Sequence, residues 1–574
     1  MYPCFRVQTI RLVRRARVDF LVGVAGFVFG AAVLGFRNLN PGSIEWLQGD
    51  AKLAQIGHEF FWRSPWWQFP FNATPTYGVG WKTGLNQSSQ NSLIPLFFKP
   101  LASFSDSGFQ IQGIWLSSSF AAQAVIARRI FAALKLQKAA QLLGTVVVLL
   151  SPALFSRIGT LWHPQLAAHW LILLAILMYM RKSPVWSWLL IVSFSFSVHV
   201  YICVIVTVIA GAALFNQTIL ATDPRGIATR VKTFFVGVLA VTGVLCASIV
   251  ILGFGNFVGN PTTVGVGRYR LNLFSFINPG VENYGSLLNS TDFFRNRSWL
   301  SEENEGFAYL GLGVILTLIL LIGAIGLRVI RIRRNHLPII AASLVLFLVS
   351  LSDHVAIGTR DISFPVPVIL IEMRQTFRAA TRFSWLAYYL LVIAGWYAAS
   401  KLAKQCSSRV LQHGIVSLLV LVQILDVGPG VLKLHQEIRD TRSEFAPLLA
   451  GEWTPLLKSY KKVFIVPSVD ANEDDVDLTE EERIWFADDT LAQLAWLASV
   501  NDVELNYSFC SRSCLESARR STNDVRSEMS RRGLRDGSVY VFAENEEWRK
   551  FAADTGAPPR VIGGLRVLLG RPGD

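Results

Sequence analysis

Charge is scarce in this 574-residue chain: Asp, Glu, Lys and Arg make up 16% and apolar residues 52%, against an average charged share of roughly 25%. A soluble protein of this length needs more charge to cover its surface. Disorder is excluded by 38 Phe and 17 Trp, since a chain that stays unfolded is poor in aromatics. Cysteine is also scarce, with six in all. Cys203 and Cys246 lie inside apolar runs and read as small core residues. Only Cys510 and Cys514 are neighbours, as two thiols or, in an oxidising compartment, a disulfide. The outer loops contain no His-x-Glu-x-x-His, Cys-x-x-Cys or Asp-x-Asp, so a strong metal signature is lacking. A Walker loop is missing, which removes an ATP site. There is no nucleic-acid-binding module, internal repeat or low-complexity tract.

What the chain has is a series of long apolar runs. Mean hydropathy is +0.40 and the isoelectric point near 9.6; the formal net charge is +14. The basic residues sit in short clusters between the runs, as expected of loops held at an anionic cytoplasmic leaflet. Arg6, Arg11, Arg14, Arg15 and Arg17 precede a run at 20–36 that lacks a small-residue cleavage site. It reads as a retained signal anchor with a cytoplasmic N-terminus. Ten further runs lie at about 109–130, 139–155, 161–180, 185–200, 201–215, 234–251, 307–327, 337–350, 383–399 and 415–431. Each is near the length needed to cross about 30 Å of hydrocarbon. The pair around His199 is two short helices or one long bent one. About eleven spans place the clusters at Arg128–Lys138, Arg181–Lys182, Arg225–Lys232, Arg328–Arg334 and Lys401–Arg409 all inside. The expected fold is an α-helical polytopic membrane domain over 1–431, with outer loops at about 37–108, 252–306 and 351–382, followed by an extracytoplasmic domain over 432–574.

That last region differs in kind. Residues 463–466 and 539–542 read as buried strands, and 491–499 and 523–532 as helices, so a small α/β domain is expected. The acidic run from Asp470 to Glu482 reads as a solvated loop leading into a helix.

A first outer loop of about seventy residues is long for a connection. Its segment from Asp50 to Arg63 has helical apolar spacing at Leu53, Ile56, Phe60 and Phe61. Trp62, Trp66, Trp67 and Trp81 follow, and Trp belongs at headgroup level. An amphipathic helix along the outer interface is expected. Anchoring accounts for the aromatics but not for Asp50 or His58, which need solvation or partners and are the first two candidate site residues. In the second loop Arg268 and Arg270 are candidates for forked bonds to phosphate, with snorkelling to lipid phosphates as the alternative. In the third, Arg374, Arg378 and Arg382 are four apart and share a helix face. Outer loops should be poor in positive charge, so this stripe predicts an anion site, or else a segment that re-enters the membrane and packs on acidic partners. His163, His169 and His199 lie at span ends and read as packing residues.

Several stretches together resemble known groups. An acid just after the first span, an interfacial helix, about eleven spans and an outer C-terminal domain are similar to the GT-C superfamily of integral membrane glycosyltransferases. More closely, Gly49-Asp50, the segment from Asn91 to Pro100, Ser197 to Tyr201, Leu273 to Gly280, Glu305 to Gly313 and Phe377 to Trp385 resemble an uncharacterised bacterial membrane family known only as a domain of unknown function. The Glu305–Gly313 stretch is the most specific of these. The superfamily resemblance implies a polyprenyl-phosphate-linked sugar donor, a saccharide or other envelope acceptor, a location in the bacterial inner membrane, and a first-loop carboxylate that acts as base or holds a metal. That role maps onto Asp50, with Glu45 a poor second. One well-placed acid argues against a tightly bound metal, so no cofactor is expected, while a weakly bound divalent cation stays compatible. The candidate arginines would stabilise the departing lipid phosphate. Such chemistry requires Asp50 and the arginine stripe to meet at the outer surface. The alternatives are a transporter or flippase of a lipid-linked saccharide, and a non-catalytic envelope assembly protein.

Overall fold

The computed structural model describes the chain apart from residues 1, 82, 86–92, 103–107, 160–162, 222–225, 255–268, 280–285, 287–304, 359, 366–376, 442–444, 447–448, 469–489, 510–514 and 574. The chain packs into two compact units. The first comprises residues 1–40, 112–246 and 265–440; the second comprises 41–111, 247–264 and 441–574.

The first unit is helical because its apolar runs are long and nearly free of charge. Among the described residues seven helices are long and apolar enough to cross a membrane: Ala16–Leu34, Lys138–Ile158, Pro164–Arg181, Val200–Thr218, Ile227–Ile251, Ala380–Ala403 and Arg409–Asp440. Shorter apolar helices at Val185–Val198, Leu312–Gly326 and Arg334–Ser350 fall on three of the remaining expected spans. The Gln112–Ala133 helix falls on another. Large apolar side chains stand exposed along these helices, among them Leu239 at 71%, Ile322 at 73% and Val410 at 82%. Water would penalise such a surface, and lipid does not. The chain is a polytopic membrane protein.

The ambiguity around His199 resolves into two helices. His199 is extended (φ −164°) between Val185–Val198 and Val200–Thr218, and its imidazole accepts the Tyr201 backbone N–H at 3.2 Å. The side chain thus caps the second helix, which a continuous helix would not need. The first helix, Tyr2–Leu34, packs closely on Gln112–Ala133. A Cβ on Gly30 would lie 2.7 Å from the Phe120 ring, and one on Gly26 2.8 Å from the Phe120 carbonyl. Small residues let the two backbones approach, the usual solution where helix association in lipid depends on close packing.

Packing accounts for the Glu305–Gly313 stretch. Gly311 (φ +87°, ψ 146°) occupies backbone space that is essentially glycine's alone. A Cβ there would meet Gln423 Nε2 at 2.1 Å, and one on Gly313 would meet the Leu419 carbonyl at 2.6 Å. The buried Asp426 accepts the Leu312 N–H at 2.8 Å and the Tyr309 hydroxyl at 2.8 Å through one oxygen, and the Ser286 hydroxyl at 2.6 Å through the other. Gln423 accepts the Val314 N–H and donates to the Leu310 carbonyl. Two polar side chains of Arg409–Asp440 therefore satisfy the start of Leu312–Gly326, whose first N–H groups lack partners within the helix.

The second unit is built on a five-stranded sheet. Two strands elsewhere, β1 (His354–Ile357) and β2 (Arg360–Ser363), form an antiparallel pair in the first unit. In the second unit β3 is Lys462–Val466, β4 Glu504–Leu505, β5 Ser538–Phe542, β6 Arg560–Ile562 and β7 Leu565–Leu569, in the order β4-β3-β5-β7-β6. β3 runs parallel to β4 and β5, and β7 antiparallel to β5 and β6. The expected strands at 463–466 and 539–542 are β3 and β5, fully apolar where both faces are covered. Thr490–Val500 and Leu515–Arg532 correspond to the expected helices.

The first loop belongs to this same unit. The Leu505 N–H bonds the Thr76 carbonyl at 2.9 Å, and the Leu505 carbonyl accepts the N–H groups of Gly78 and Val79 at 2.8 and 2.9 Å. The loop thereby covers the outer edge of β4, an edge that would otherwise expose unpaired backbone groups. The Gly49–Arg63 helix packs against Thr490–Val500. The expectation of an interfacial helix is corrected here: eleven of its fifteen residues are buried. Its apolar face meets protein, and its charged residues Lys52 and Glu59 are buried. Lys52 Nζ lies 5.6 Å from the Phe445 ring centre. Of the four tryptophans, Trp62 is buried and donates to the Pro95 carbonyl at 3.0 Å, while Trp66 and Trp67 are exposed.

Candidate functional site

Two places in the chain hold the chemistry the sequence pointed to, one in each unit.

In the first unit the site is built around Glu305. The Pro152–Ile158 helix begins with proline at its first turn, where a missing N–H costs nothing, and carries Arg157 near its end. His163 follows in the connection to the next span. Glu305 stands just before the glycine-rich entry to Leu312–Gly326. The short helix Ala380–Ser384 carries Arg382 and leads directly into Trp385–Ala403. Arg157 donates to Glu305 Oε2 at 2.7 Å and to the Glu305 backbone carbonyl at 2.7 Å. Arg382 donates through Nε at 3.3 Å to one carboxylate oxygen and through Nη2 at 3.1 and 3.2 Å to both. His163 Nε2 lies 3.2 Å from Oε1. The carboxylate side chain is 11% exposed, the Arg157 side chain 0% and the Arg382 side chain 10%.

More cationic and aromatic groups adjoin this hub. A Cβ on Gly306 would come within 2.7 Å of the Arg270 carbonyl and 3.4 Å of the Thr381 hydroxyl, so glycine lets three segments close together. Arg270 itself is buried. The Thr381 N–H donates to the Tyr269 carbonyl at 3.2 Å, and the Arg378 guanidinium lies 5.9 Å from the Tyr269 ring centre. Arg382 sits 4.8 Å from the Tyr201 ring centre, and the Tyr201 hydroxyl accepts the Ala379 N–H at 3.0 Å. Three of the five expected arginines thus fall in one neighbourhood. Arg268 and Arg374 lie outside the described residues. Of the stripe, Arg382 meets an acidic partner, Glu305; the expected shared helix face is corrected, because Arg378 precedes the Ala380–Ser384 helix and lies outside any helix.

Electrostatics keep Glu305 ionised. Burial alone would raise its pKa, but Arg382, Arg157 and His163 outweigh burial and hold it well below the ordinary carboxyl value of 4.5. A carboxyl depressed in the folded state contributes stability that is present above its unfolded pKa and lost as pH falls through the folded one. Purified protein is therefore expected to lose thermal stability as pH drops below about 4.5. Glu305→Gln should flatten that part of the profile, as measured by unfolding midpoints across the acid range.

In the second unit Asp50 stands half-buried in the first turn of Gly49–Arg63. An acid there is favoured by the positive end of the helix dipole, which accounts for its placement without requiring chemistry. His58 lies two turns on, 1% exposed. Its ring is 5.4 Å from that of Trp62, and neither ring nitrogen has a hydrogen-bond partner among the described residues. Burial pushes its pKa down to about 3, so it is neutral at ordinary pH. Glu59 beside it is raised by burial, opposed by the Phe109 N–H at 2.8 Å, by Arg63 and by Gln55 at 3.0 Å. Lys99 is also buried, its Nζ donating to Ser64 Oγ at 2.9 Å and lying 4.4 Å from the Phe61 ring centre.

Among the described residues no group of three or more His, Cys, Asp and Glu side chains is placed to hold a metal ion. Cys510, Cys514 and the acidic run at 470–482 lie outside the described residues. Sequence reasoning missed Arg157, Glu305 and Asp426. Each carried a signal: a charge inside or beside an apolar run needs a partner. His169, read as a packing residue, is one, its Nδ1 2.8 Å from the Tyr389 hydroxyl.

No curated protein is similar to the chain in sequence. Among solved structures, ArnT from Cupriavidus metallidurans in the apo state aligns over 95% of this chain and 97% of that chain, at 11% identity and a TM-score of 0.42. Residues 452–570 match the DUF6311 C-terminal domain. Residues 23–428 match the model of a domain of unknown function, DUF6311, and over that span the chain belongs to this family.

Proposed function

We propose that the chain is a membrane glycosyltransferase that moves a sugar from a polyprenyl-phosphate-linked donor to an acceptor on the extracytoplasmic face. The observation that carries this reading is that Arg157, Arg382 and His163 converge on a single carboxylate, with Arg270 and Arg378 on the segments packed next to it. Guanidinium groups held in fixed positions suit a phosphate that gains charge as its bond to sugar breaks. In the proposed step an acceptor hydroxyl oxygen attacks the anomeric carbon. The bond from that carbon to the phosphate oxygen breaks, and the polyprenyl phosphate leaves with the electron pair. The hydroxyl proton passes to the Asp50 carboxylate, a general-base role that needs only transient acceptance. Arg378 and Arg270 are assigned to the phosphate. Glu305 is assigned to positioning: it fixes the forks of Arg157 and Arg382. His58, neutral and enclosed, is assigned to packing.

A transporter or flippase would use ionisable groups within the spans as part of its path. Two acids inside long spans are both taken up structurally: Asp19 pairs with Arg128 and Arg129, and Asp426 caps Leu312–Gly326 and holds Tyr309 and Ser286, which favours the transferase. The test is retention of undecaprenyl phosphate by purified protein, read by native mass spectrometry. Arg378→Gln is expected to lower retention about tenfold, the loss of one charge-assisted contact. Retention equal to wild type would remove Arg378 from donor binding.

A further inference from the structure

The helix Trp385–Ala403, which starts beside Arg382, ends at a recess of a different character. At 1.5 Å per residue its 19 residues separate the two places by about 28 Å. The recess is a small, open one, with a cavity volume of about 30 Å³. Lys135, Lys401, Lys404 and His413 line it over a floor that includes Leu136 and Val416, and no carboxylate is among its lining residues. None of the three lysines has a carboxylate partner among the described residues. The walls are fixed. Trp396 donates its indole N–H to the Ala140 carbonyl at 2.8 Å, and Lys401 lies 5.4 Å from the Tyr397 ring centre. Lys135 holds left-handed backbone at φ 59°, a helix-end position where glycine is the ordinary choice.

We propose that this recess binds the phosphate-bearing headgroup of an anionic phospholipid. Three ammonium groups over an apolar floor suit a phosphate joined to a glyceride. The surroundings favour lipid over a free anion: Val410 and Leu411 on the adjoining helix, and Leu142 on another wall helix, are large apolar side chains left exposed. The site would therefore open onto the acyl-chain region beside it. Basic recesses between membrane helices bind such headgroups, each lysine adding about fivefold to affinity. In the topology read from the charge distribution this is the cytoplasmic leaflet, opposite the proposed transfer reaction, and the inference does not depend on that reaction.

The experiment uses the full chain in detergent micelles with dioleoylphosphatidylglycerol or dioleoylphosphatidylcholine, and counts retained lipid by native mass spectrometry. Phosphatidylglycerol is expected to be retained over phosphatidylcholine. Lys401→Gln with Lys404→Gln should lower its retention about tenfold or more, while Lys401→Arg with Lys404→Arg should keep it. Lys404→Gln alone changes an exposed side chain that the fold tolerates, and should lower retention severalfold. Arg331→Gln with Arg334→Gln, in another basic loop, should have no effect. Equal retention of the two lipids, or full retention by the glutamine variants, would overturn the proposal. So would an equal loss in the Arg331/Arg334 control. Displacement of the lipid by inorganic phosphate would show a free-anion site and overturn the lipid assignment.

Discussion

Asp50→Asn is expected to leave folded, membrane-inserted protein in which sugar transfer is lowered by about 10²–10⁴-fold, the usual contribution of a positioned base. The substitution is nearly isosteric. It sits in the first turn of a helix whose remaining residues are mostly buried. The helix-dipole interaction lost is worth about 0.3–1 kcal/mol, which is too small to unfold the unit. Undecaprenyl phosphate binding is expected to be unchanged, because that contact is assigned to arginines. The signature is a fall in turnover with donor retention preserved. Unchanged turnover in the Asn variant removes Asp50 from the mechanism. A parallel loss of donor binding would instead make it a substrate contact.

Glu305→Ala is expected to produce the largest stability loss of any single substitution in the first unit, about 3–5 kcal/mol, because it leaves a buried charge without its partner. Arg157, with a side chain 0% exposed, has its Nη1 and Nη2 on the Glu305 carboxylate and backbone carbonyl. Removing the carboxylate strands that guanidinium in a place water does not reach. Arg382 and His163 lose the same acceptor. Arg157→Met placed in the Glu305→Ala protein is expected to recover part of the loss, since it removes the stranded charge. Thermal unfolding of the single and double variants in detergent measures this. A Glu305→Ala protein as stable as wild type contradicts the hub, as does a double variant less stable than the single one.

The membrane helices were legible because an apolar run of about twenty residues with almost no charge suits hydrocarbon and little else. Even the doubt around His199 was real: an apolar run carries no mark of where it bends, and only the extended His199 backbone decides it. The strands around 463–466 and 539–542 were legible because a short, fully apolar run among polar residues must be covered on both faces. The first-loop helix was misread for a physical reason. Leu53, Ile56, Phe60 and Phe61 form the same stripe whether the stripe meets lipid or the Thr490–Val500 helix. Its buried Lys52 and Glu59 were the clue, since an interfacial helix keeps such groups on its wet side. The arginine stripe was legible as an anomaly of charge, but its acidic partner was not. Glu305 is 148 residues from Arg157, 142 from His163 and 77 from Arg382. No periodicity spans such separations. The glycine-rich stretch after Glu305 stood out in sequence, yet its meaning depended on Gln423 and Asp426 in a helix more than a hundred residues away.

The central claim is that this chain breaks the bond between a sugar and a polyprenyl phosphate. It is tested most directly by giving purified wild-type and Asp50→Asn protein a panel of radiolabelled polyprenyl-phosphate sugars, with lipid-extracted envelope material as acceptor, and measuring free polyprenyl phosphate. The transferase account predicts release from at least one donor by the wild-type protein and little or none by the variant. Intact donors across the whole panel, or equal release by the two proteins, would contradict it.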